Sequence, residues 1–406
     1  MPSALPDGEP APADGRLPDH ALTRAPAAGF GVYVHVPFCA TRCGYCDFNT
    51  YTAAELGGGV SRDNYPEVLR EEFALAKTVL DGSRGPVDTV FIGGGTPTLL
   101  NAQALTGIVA DIDAAFGLAP DAEITTEANP ETVDESYLRQ LRDGGFTRVS
   151  LGMQSASPGV LAILERSHTP GRALEAAAAA RRAGFDHVNL DLIYGTPGER
   201  ADDFRASLAA AVDAGADHVS AYSLIVEDGT ALAAKVRRGD IAQPSDDVAA
   251  DRYLMAEEIL SGAGLNWYEV SNWAATEQAR CRHNLLYWRG GDWWGFGPGA
   301  HSHIAGVRWW NVKHPARYSQ RLKQGQSPAQ GREILTEDQR YVEDVMLRVR
   351  LAEGMPIASL QPTGAEAIPH IAAAGLLDTD ALSTGTVLLT LRGRLLADAV
   401  IRDLLD

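Results

Sequence analysis

Six short apolar runs recur along the chain, and each predicts a β-strand. They are GVYVHV (31–36), DTVFIG (88–93), EITTEA (123–128), TRVSLGMQ (147–154), HVNLDLIYG (187–195) and HVSAYSL (218–224). Between them, apolar residues at three- and four-residue spacing predict helices near 65–80, 102–116, 132–143, 158–165, 171–184 and 201–214. Strands that alternate with helices form a parallel sheet. Six repeats fit an incomplete α/β barrel, although a doubly wound open sheet fits the periodicity equally well.

The alternation of side chains within these runs favours the barrel. In the fifth run Asn189 and Asp191 fall on one face, and the apolar residues around them fall on the other. The corresponding polar face of the third and fourth runs carries Thr125, Glu127, Ser150, Gly152 and Gln154. A doubly wound sheet should be apolar on both faces, whereas a barrel can have a polar interior that holds a ligand. We therefore expect an α/β fold, a partial (β/α)6 TIM-like barrel.

Three further segments flank the predicted barrel, which spans residues 30–265. Residues 1–29 are rich in Pro, Ala, Gly and Asp without periodicity, so we expect a disordered leader. Residues 266–330 are predicted to form a connecting segment, which holds all seven Trp and four of the ten His. Residues 331–406 are predicted to form a small α-rich, winged-helix-like domain, whose first helix has a capping box at Thr336 and Gln339.

The composition excludes several classes of protein. The 35 Lys and Arg against 53 Asp and Glu give a net charge of −18, which disfavours nucleic acid as a partner. No apolar stretch reaches the roughly 18 residues that a membrane-spanning helix needs. The N-terminus has no basic region followed by an apolar one, so nothing marks the chain for export. We expect a cytoplasmic protein without a membrane span.

Three of the four cysteines, Cys39, Cys43 and Cys46, lie within eight positions just after the first predicted strand. In a reducing compartment such clustering indicates metal or redox chemistry rather than disulfides. Three thiolates on a short loop can hold three irons of a [4Fe-4S] cluster and leave the fourth iron open. A structural zinc site needs four ligands, and the nearby candidate, His35, lies on the strand.

This loop resembles the cysteine motif of the radical S-adenosylmethionine superfamily, in which an aromatic residue, here Tyr45, precedes the third cysteine. The resemblance implies that the open iron binds S-adenosylmethionine and that an electron from the cluster cleaves its sulfonium. One branch of the superfamily, which contains coproporphyrinogen dehydrogenases and HemW-type proteins, is similar over most of the chain. The similar segments are YVHVPFC (33–39), GGGTPT (93–98), EANP (127–130), GMQS (152–155), NLDLIYGTPG (189–198) and AYSL (221–224).

The resemblance also implies which residues hold S-adenosylmethionine. It places Tyr45 beside the adenine, and the other contacts are Tyr33, Gly94, Gly95, Thr96, Glu127, Gln154, Arg166 and Asp191. Alternatives stay open for several of them. GGGTPT alone is typical of a strand-to-helix turn, and the three strand-end residues Glu127, Gln154 and Asp191 could be polar groups satisfied within the fold. The assignment of Arg166 depends on the resemblance alone.

Two features distinguish an enzyme from a carrier within this branch. The decarboxylating members have a fourth cysteine two residues after the third, where this chain has Phe48. HNLLYW (283–288) matches the HNxxYW motif of HemW-type heme chaperones, in which the histidine, here His283, is the expected heme ligand. His301, His303 and Cys281 are weaker candidates, because loop histidines and buried thiols usually have structural roles.

The resemblance therefore implies a heme chaperone that binds heme, a [4Fe-4S] cluster and S-adenosylmethionine. Such a protein transfers heme to acceptor haemoproteins, including respiratory-chain enzymes. The alternative is an oxygen-independent coproporphyrinogen III dehydrogenase, which the absence of the fourth cysteine disfavours. A zinc-bound regulatory protein is a third hypothesis.

Overall fold

The computed structural model describes residues 8–26, 28–166 and 169–406. Residues 1–7 and 27 of the predicted leader lie outside the described residues. The strands are β1 (Glu9–Pro10), β2 (Phe30–Val36), β3 (Val87–Gly94), β4 (Leu118–Ala128), β5 (Arg148–Gln154), β6 (His187–Tyr194), β7 (His218–Ser223), β8 (Asn266–Glu269), β9 (Asn272–Ala274), β10 (Asp292–Phe296), β11 (His301–Ile304), β12 (Val307–Asn311), β13 (Ala329–Ile334), β14 (Met355–Pro356) and β15 (Thr386–Val387).

The helices separate these strands and cover the sheet. They are α1 (Asp19–Thr23), α2 (Tyr65–Leu80), α3 (Ala102–Phe116), α4 (Glu135–Asp143), α5 (Pro158–Ile163), α6 (Arg172–Ala183), α7 (Ala201–Asp213), α8 (Ala231–Arg238), α9 (Asp246–Gly262), α10 (Arg282–Trp288), α11 (Pro315–Lys323), α12 (Glu337–Arg348), α13 (Pro362–Ala373), α14 (Thr379–Ser383), α15 (Leu391–Leu395) and α16 (Ala397–Leu405). Short 3-10 turns follow β3, β4 and β14 at Pro97–Leu99, Pro130–Thr132 and Ile357–Ser359.

The six predicted strands are β2 to β7, and they lie side by side in chain order with every pair parallel. A predicted helix follows each of β2 to β6, and β5 is followed by α5 and α6. In the full sheet the order is β1-β13-β12-β11-β10-β2-β3-β4-β5-β6-β7-β9-β8. Among the described strands β1 and β8 do not pair with each other, so the barrel is open. The predicted α/β fold with a partial parallel barrel is confirmed.

The segment predicted as a connection between domains is part of this sheet. Strand β10 pairs in parallel with β2, which adds a seventh parallel strand, and β11 to β13 continue the sheet in antiparallel order. Trp294 on β10 packs edge to face on Trp309 of β12, with ring centroids 4.8 Å apart. The tryptophans supply the large apolar area that joins these strands to the barrel core.

The expected disordered leader is wrong for residues 8–26. Strand β1 pairs antiparallel with β13, and Leu17 and Ala21 are buried in the main core. The buried Arg84 side chain donates a hydrogen bond to the Ala21 carbonyl at 2.8 Å. The burial of Leu17 and Ala21, the β1–β13 pairing and the Arg84 hydrogen bond therefore offset the entropy cost of ordering this segment. The composition of the segment does not contain these tertiary contacts.

The C-terminal helices α12 to α16 and the β14–β15 pair have a core of their own, built around Val345, Met355, Ile371, Val400 and Leu404. The capping box at Thr336 and Gln339 forms as expected. The predicted boundary at residue 331 cuts β13, which belongs to the large sheet, so the helical unit begins at α12. No helix in the described part of the chain is long and apolar enough to cross a membrane.

Candidate functional site

The three clustered cysteines lie on a loop that leaves the carboxyl end of β2 and returns to it. We call residues 39–51 the cluster loop. Its two ends pair through the Cys39 N–H on the Tyr51 carbonyl at 3.0 Å and the Tyr51 N–H on the Pro37 carbonyl at 2.7 Å. Its middle is tied to the opposite side of the barrel mouth by Gly44, whose N–H donates to Leu164 and whose carbonyl accepts from Leu232. These bonds hold the cysteines at the carboxyl end of the barrel.

The three thiols suit an iron–sulfur cluster, whose irons bind cysteine sulfurs. Cys39, Cys43 and Cys46 are free and half-buried, and an Arg166 N–H lies 3.5 Å from Cys43 Sγ. Burial raises the pKa of the Cys46 thiol to about 11, so metal binding must displace its proton. In the part of the chain that the structure describes, no three His, Cys, Asp or Glu side chains are gathered around a single ion position. Three free thiols on one loop are the type of ligand that iron–sulfur clusters take.

The glycine segment 93–95 packs directly against the start of the cluster loop. Gly94 has φ +110°, and a Cβ on Gly95 would lie 2.5 Å from the Phe38 carbonyl oxygen and 3.1 Å from Cys39 Sγ. The Gly95 and Thr96 N–H groups donate to the carbonyls of Val36 and Phe38 at 2.8 and 2.7 Å. The segment is therefore fixed against the cysteine loop with no side chain between them. This arrangement fits the predicted roles of Gly94, Gly95 and Thr96.

Two acidic side chains of the predicted polar face lie inside the barrel. Burial, followed by repulsion from Asp191, raises the pKa of Glu127 to about 7. The Gly94 N–H donates to Glu127 Oε2 at 2.9 Å, and this hydrogen bond opposes part of the rise. Burial also raises the pKa of Asp191, whose carboxylate accepts bonds from Ser150 at 2.8 Å and Asn189 at 2.7 Å. Two mutually repelling carboxylates favour a cationic ligand, and S-adenosylmethionine carries an ammonium and a sulfonium.

These carboxylates line a cavity of about 210 Å³. Its lining residues are Tyr33, Phe91, Thr125, Glu127, Arg148, Ser150, Asn189, Asp191, His218, Ser220, Tyr222, Cys281, His283, Asn284 and Tyr287. The cavity thus brings together Tyr33, Glu127 and Asp191 among the predicted cofactor residues, and it adds His283.

The remaining predicted cofactor residues surround the cavity without lining it. Arg166 acts electrostatically on Glu127, Asp191 and Tyr45, and it donates to the Gly152 carbonyl at 3.4 Å. Tyr45 packs against the apolar cluster around Leu164, and burial raises its pKa. Gln154, which ends β5, has φ +65°. A positive φ at a non-glycine residue is uncommon and often occurs at functional sites.

His283 is held in the barrel interior on both sides of its ring. Its Nδ1 lies 2.8 Å from Thr89 Oγ1, and its Nε2 lies 2.7 Å from the Tyr287 hydroxyl. The ring stacks on Phe91 with centroids 5.3 Å apart. Burial lowers the pKa of His283 to about 3, which keeps the imidazole neutral near pH 7. Ligation of iron by Nε2 therefore requires Tyr287 to release that nitrogen.

The weaker heme candidates have clear structural surroundings. Cys281 is buried and free, with its Sγ 3.6 Å from Glu123 Oε1. His301 and His303 lie on strand β11 and not in a loop. His303 bonds the Gly291 carbonyl at 2.9 Å and the Gly306 N–H at 3.0 Å, so both of its ring nitrogens are engaged.

Sequence reasoning missed part of the barrel lining. Arg148, His218 and Tyr222 face the cavity, and Arg148 forms a buried ion pair with Glu123 at 3.1 Å. The two-residue alternation contained the signal, since Arg148 shares the face of Ser150 and His218 shares the face of Ser220. Phe91 also lines the cavity, and it lies two residues before Gly93 on the same face of β3.

Comparison with known proteins agrees with this architecture. Residues 33–211 match the model of the Radical SAM superfamily. The chain is 23% identical to coproporphyrinogen III oxidase (HemN) from Escherichia coli, with a TM-score of 0.79 over 95% of this chain and 92% of that one. At this identity the likeness shows the fold alone.

Similarity at the level of sequence extends over almost the whole chain. The heme chaperone HemW of Mycobacterium tuberculosis is 55% identical over 384 residues, which cover 95% of this chain and 97% of the relative. The heme chaperone HemW of Escherichia coli is 34% identical over 330 residues, which cover 80% of this chain and 83% of the relative. The chain therefore belongs to the HemW family and carries the radical SAM domain of that family in residues 33–211.

Proposed function

We propose that this protein is a heme chaperone, which binds heme and transfers it to an acceptor haemoprotein. The observation that carries the proposal is the 55% identity to a heme chaperone over 95% of this chain. The radical SAM domain implies a [4Fe-4S] cluster and S-adenosylmethionine, and the thiols and carboxylates of the barrel mouth fit both groups.

The residues of the barrel have distinct roles in this proposal. Cys39, Cys43 and Cys46 hold the cluster, which together with S-adenosylmethionine supplies one-electron chemistry when both are bound. Glu127 and Asp191 neutralise the positive charge of the cofactor, and the glycine segment lets backbone approach it. Arg166 lies between Cys43 and these carboxylates, where it offsets their combined negative charge.

His283 is the proposed ligand of the heme iron. A neutral imidazole is the form that binds iron, and the lowered pKa of His283 provides it throughout the physiological pH range. On α10 its ring stacks on Phe91, and it lines the same cavity as Glu127 and Asp191.

The alternative function, oxygen-independent coproporphyrinogen III dehydrogenase, is favoured only by the shared fold. The position at which the family resemblance places the enzyme's fourth cysteine holds Phe48, whose side chain is 47% exposed. A phenyl ring has neither a thiol nor a hydrogen-bonding group. The absence of this group supports the carrier over the enzyme.

A transfer experiment tests the proposal. The reconstituted protein is loaded anaerobically with one equivalent of heme and mixed with the apo form of a b-type cytochrome. We expect heme to appear in the cytochrome faster than it appears in apomyoglobin, which takes up heme that dissociates passively. Equal rates for the two acceptors, or no stable heme complex at all, would refute the chaperone function.

A further inference from the structure

Two hydroxyl groups contact the two ring nitrogens of His283. Within the described part of the chain, the Thr89 hydroxyl bonds only His283 Nδ1 and the Tyr287 hydroxyl bonds only His283 Nε2. Both contacts are short, at 2.8 and 2.7 Å; the contact with Thr89 is buried, and the contact with Tyr287 is partly buried. Two hydroxyls that bond one buried imidazole, one at each ring nitrogen, fix its orientation and favour one tautomer.

The chemistry of the two hydroxyls determines the direction of these bonds. A phenol is more acidic than an aliphatic alcohol, so Tyr287 is the better donor and Thr89 the better acceptor. We therefore assign Tyr287 as the donor to Nε2, and the Nδ1–H of the ring as the donor to Thr89 Oγ1. In this tautomer the lone pair on Nε2 is the one that could bind a metal, and Tyr287 covers it.

The position of Tyr287 allows it to uncover that lone pair without unfolding the barrel. Tyr287 follows His283 by four residues on α10, and both line the same cavity. Its ring packs edge to face on Trp293 and on the His283 ring, with centroids 4.5 and 4.7 Å apart, while the His283 ring also stacks on Phe91. A rotation of the tyrosine ring would expose Nε2 to the cavity and leave the imidazole fixed by Thr89 and Phe91.

We propose that Thr89 and Tyr287 are positioning residues for the heme ligand: Thr89 sets the tautomer of His283, and Tyr287 masks its Nε2 until heme displaces the phenol. The inference rests on the proposed function, because it needs His283 to bind iron. It assigns opposite effects to the two hydroxyls. Loss of the Thr89 hydroxyl weakens heme binding, and loss of the Tyr287 hydroxyl strengthens it.

The test compares the ferric heme affinity and spectrum of four variants of the full-length reconstituted protein. Thr89→Val removes the acceptor of Nδ1–H, and we expect roughly a tenfold or greater loss of affinity, as for other outer partners of metal-binding histidines. Thr89→Ser, which keeps the hydroxyl, should restore it. Tyr287→Phe spares heme from breaking one hydrogen bond and should raise the affinity roughly two- to tenfold. Thr89→Val/Tyr287→Phe should bind more weakly than Tyr287→Phe alone.

The same barrel provides matched controls. The Tyr268 hydroxyl bonds His218 Nε2 at 2.7 Å and accepts from the Cys281 N–H at 3.1 Å, so Tyr268→Phe frees a different cavity histidine and removes a bond at the start of α10. Thr125 also lines the cavity, and its hydroxyl has no hydrogen-bond partner among the described residues. Neither Tyr268→Phe nor Thr125→Val should change the Soret maximum or the affinity by more than about twofold.

The outcomes separate this inference from the proposed function. If the parent protein binds no heme, both are wrong. If the parent binds heme but Tyr287→Phe and Thr89→Val bind it with unchanged affinity and spectrum, the positioning roles are wrong while the chaperone function stands. An effect of Tyr268→Phe in place of Tyr287→Phe would trace the change to His218 or to the start of α10 and overturn the inference.

Discussion

At the residue scale, we predict that the two cavity carboxylates control the affinity for S-adenosylmethionine, a cationic cofactor. Glu127→Gln and Asp191→Asn each remove one negative charge at nearly constant volume, and we predict at least about a tenfold loss of S-adenosylmethionine affinity. Equilibrium dialysis measures the affinity, and iron analysis shows that the cluster is retained. Glu353→Gln, on an exposed ion pair with Arg289, is the control. Parent-like affinity in both variants would remove these carboxylates from the binding site.

Because the pKa of Glu127 is raised, we expect both the stability of the protein and its affinity for S-adenosylmethionine to depend on pH. The unligated protein should gain stability from this group as the pH falls from about 7 towards 4.5, because there the folded state holds the proton that the unfolded state has lost. The affinity for the cationic cofactor should change in the opposite sense and fall as Glu127 is protonated below about pH 7. Titrations at several pH values should show this slope in the parent and lose it in Glu127→Gln.

We predict that His283 binds the heme iron, and this role can be tested without changing Thr89 or Tyr287. Heme added to the parent should shift the Soret band, and His283→Ala should lose the shift or bind heme at least about tenfold more weakly, because an iron ligand is missing. Iron and sulfide content should not change, since the cluster loop is formed by other residues. An unchanged heme spectrum and affinity in His283→Ala would show that another group binds the iron.

At the scale of elements, the cluster loop is predicted to bind iron through its own three thiols. The reconstituted protein should hold about four iron and four sulfide per chain, and Cys43→Ser should lose the cluster. Cys281→Ser is the matched control, because that buried thiol lies 3.6 Å from Glu123 and on a different element. Tightly bound zinc without labile sulfide would contradict the assignment.

The N-terminal segment should contribute to stability, in contrast to a disordered leader. Leu17 is 4% exposed and packs in the main core. We predict that Leu17→Ala lowers the free energy of unfolding by about 2–4 kcal/mol. Leu254→Ala, at a side chain that is 39% exposed, should cost much less. Equal denaturation midpoints for Leu17→Ala and the parent would show that this segment does not pack in solution.

Some elements could be predicted from the sequence and others could not, for physical reasons. Strands β2 to β7 carry apolar runs with a polar alternation, and that local pattern alone defines a half-buried strand. Strand β1 has two residues, and its pairing with β13 depends on a partner more than 300 residues away. The parallel pairing of β10 with β2 likewise depends on contacts that no local pattern contains. The tryptophan-rich composition indicated burial there without indicating the partner.

At the scale of the whole molecule, the family resemblance found in the cysteine loop is confirmed, and the barrel brings the predicted residues to one place. The polar alternation predicted that Glu127 and Asp191 face the interior, and both line the cavity. The hydrogen bonds that hold His283 could not be predicted, because Thr89 is 194 residues away in sequence. The hydrogen-bond partners of a metal-binding side chain depend on tertiary contacts, whereas the cysteines of a metal-binding loop lie close together in the sequence.

The choice between a carrier and an enzyme is a property of the whole molecule, because this chain and the enzyme share the same fold. We predict that the protein does not convert coproporphyrinogen III to protoporphyrinogen IX when S-adenosylmethionine and a reductant are supplied anaerobically. The reason is that the barrel mouth presents the exposed phenyl ring of Phe48 where the resemblance places the enzyme's additional thiol. Porphyrin products are measured by chromatography, with a coproporphyrinogen III dehydrogenase as the positive control. Slow release of 5′-deoxyadenosine without porphyrin product is compatible with the carrier, since an open cluster can cleave the cofactor unproductively. Sustained formation of protoporphyrinogen IX, abolished by Cys43→Ser, would instead establish the enzyme.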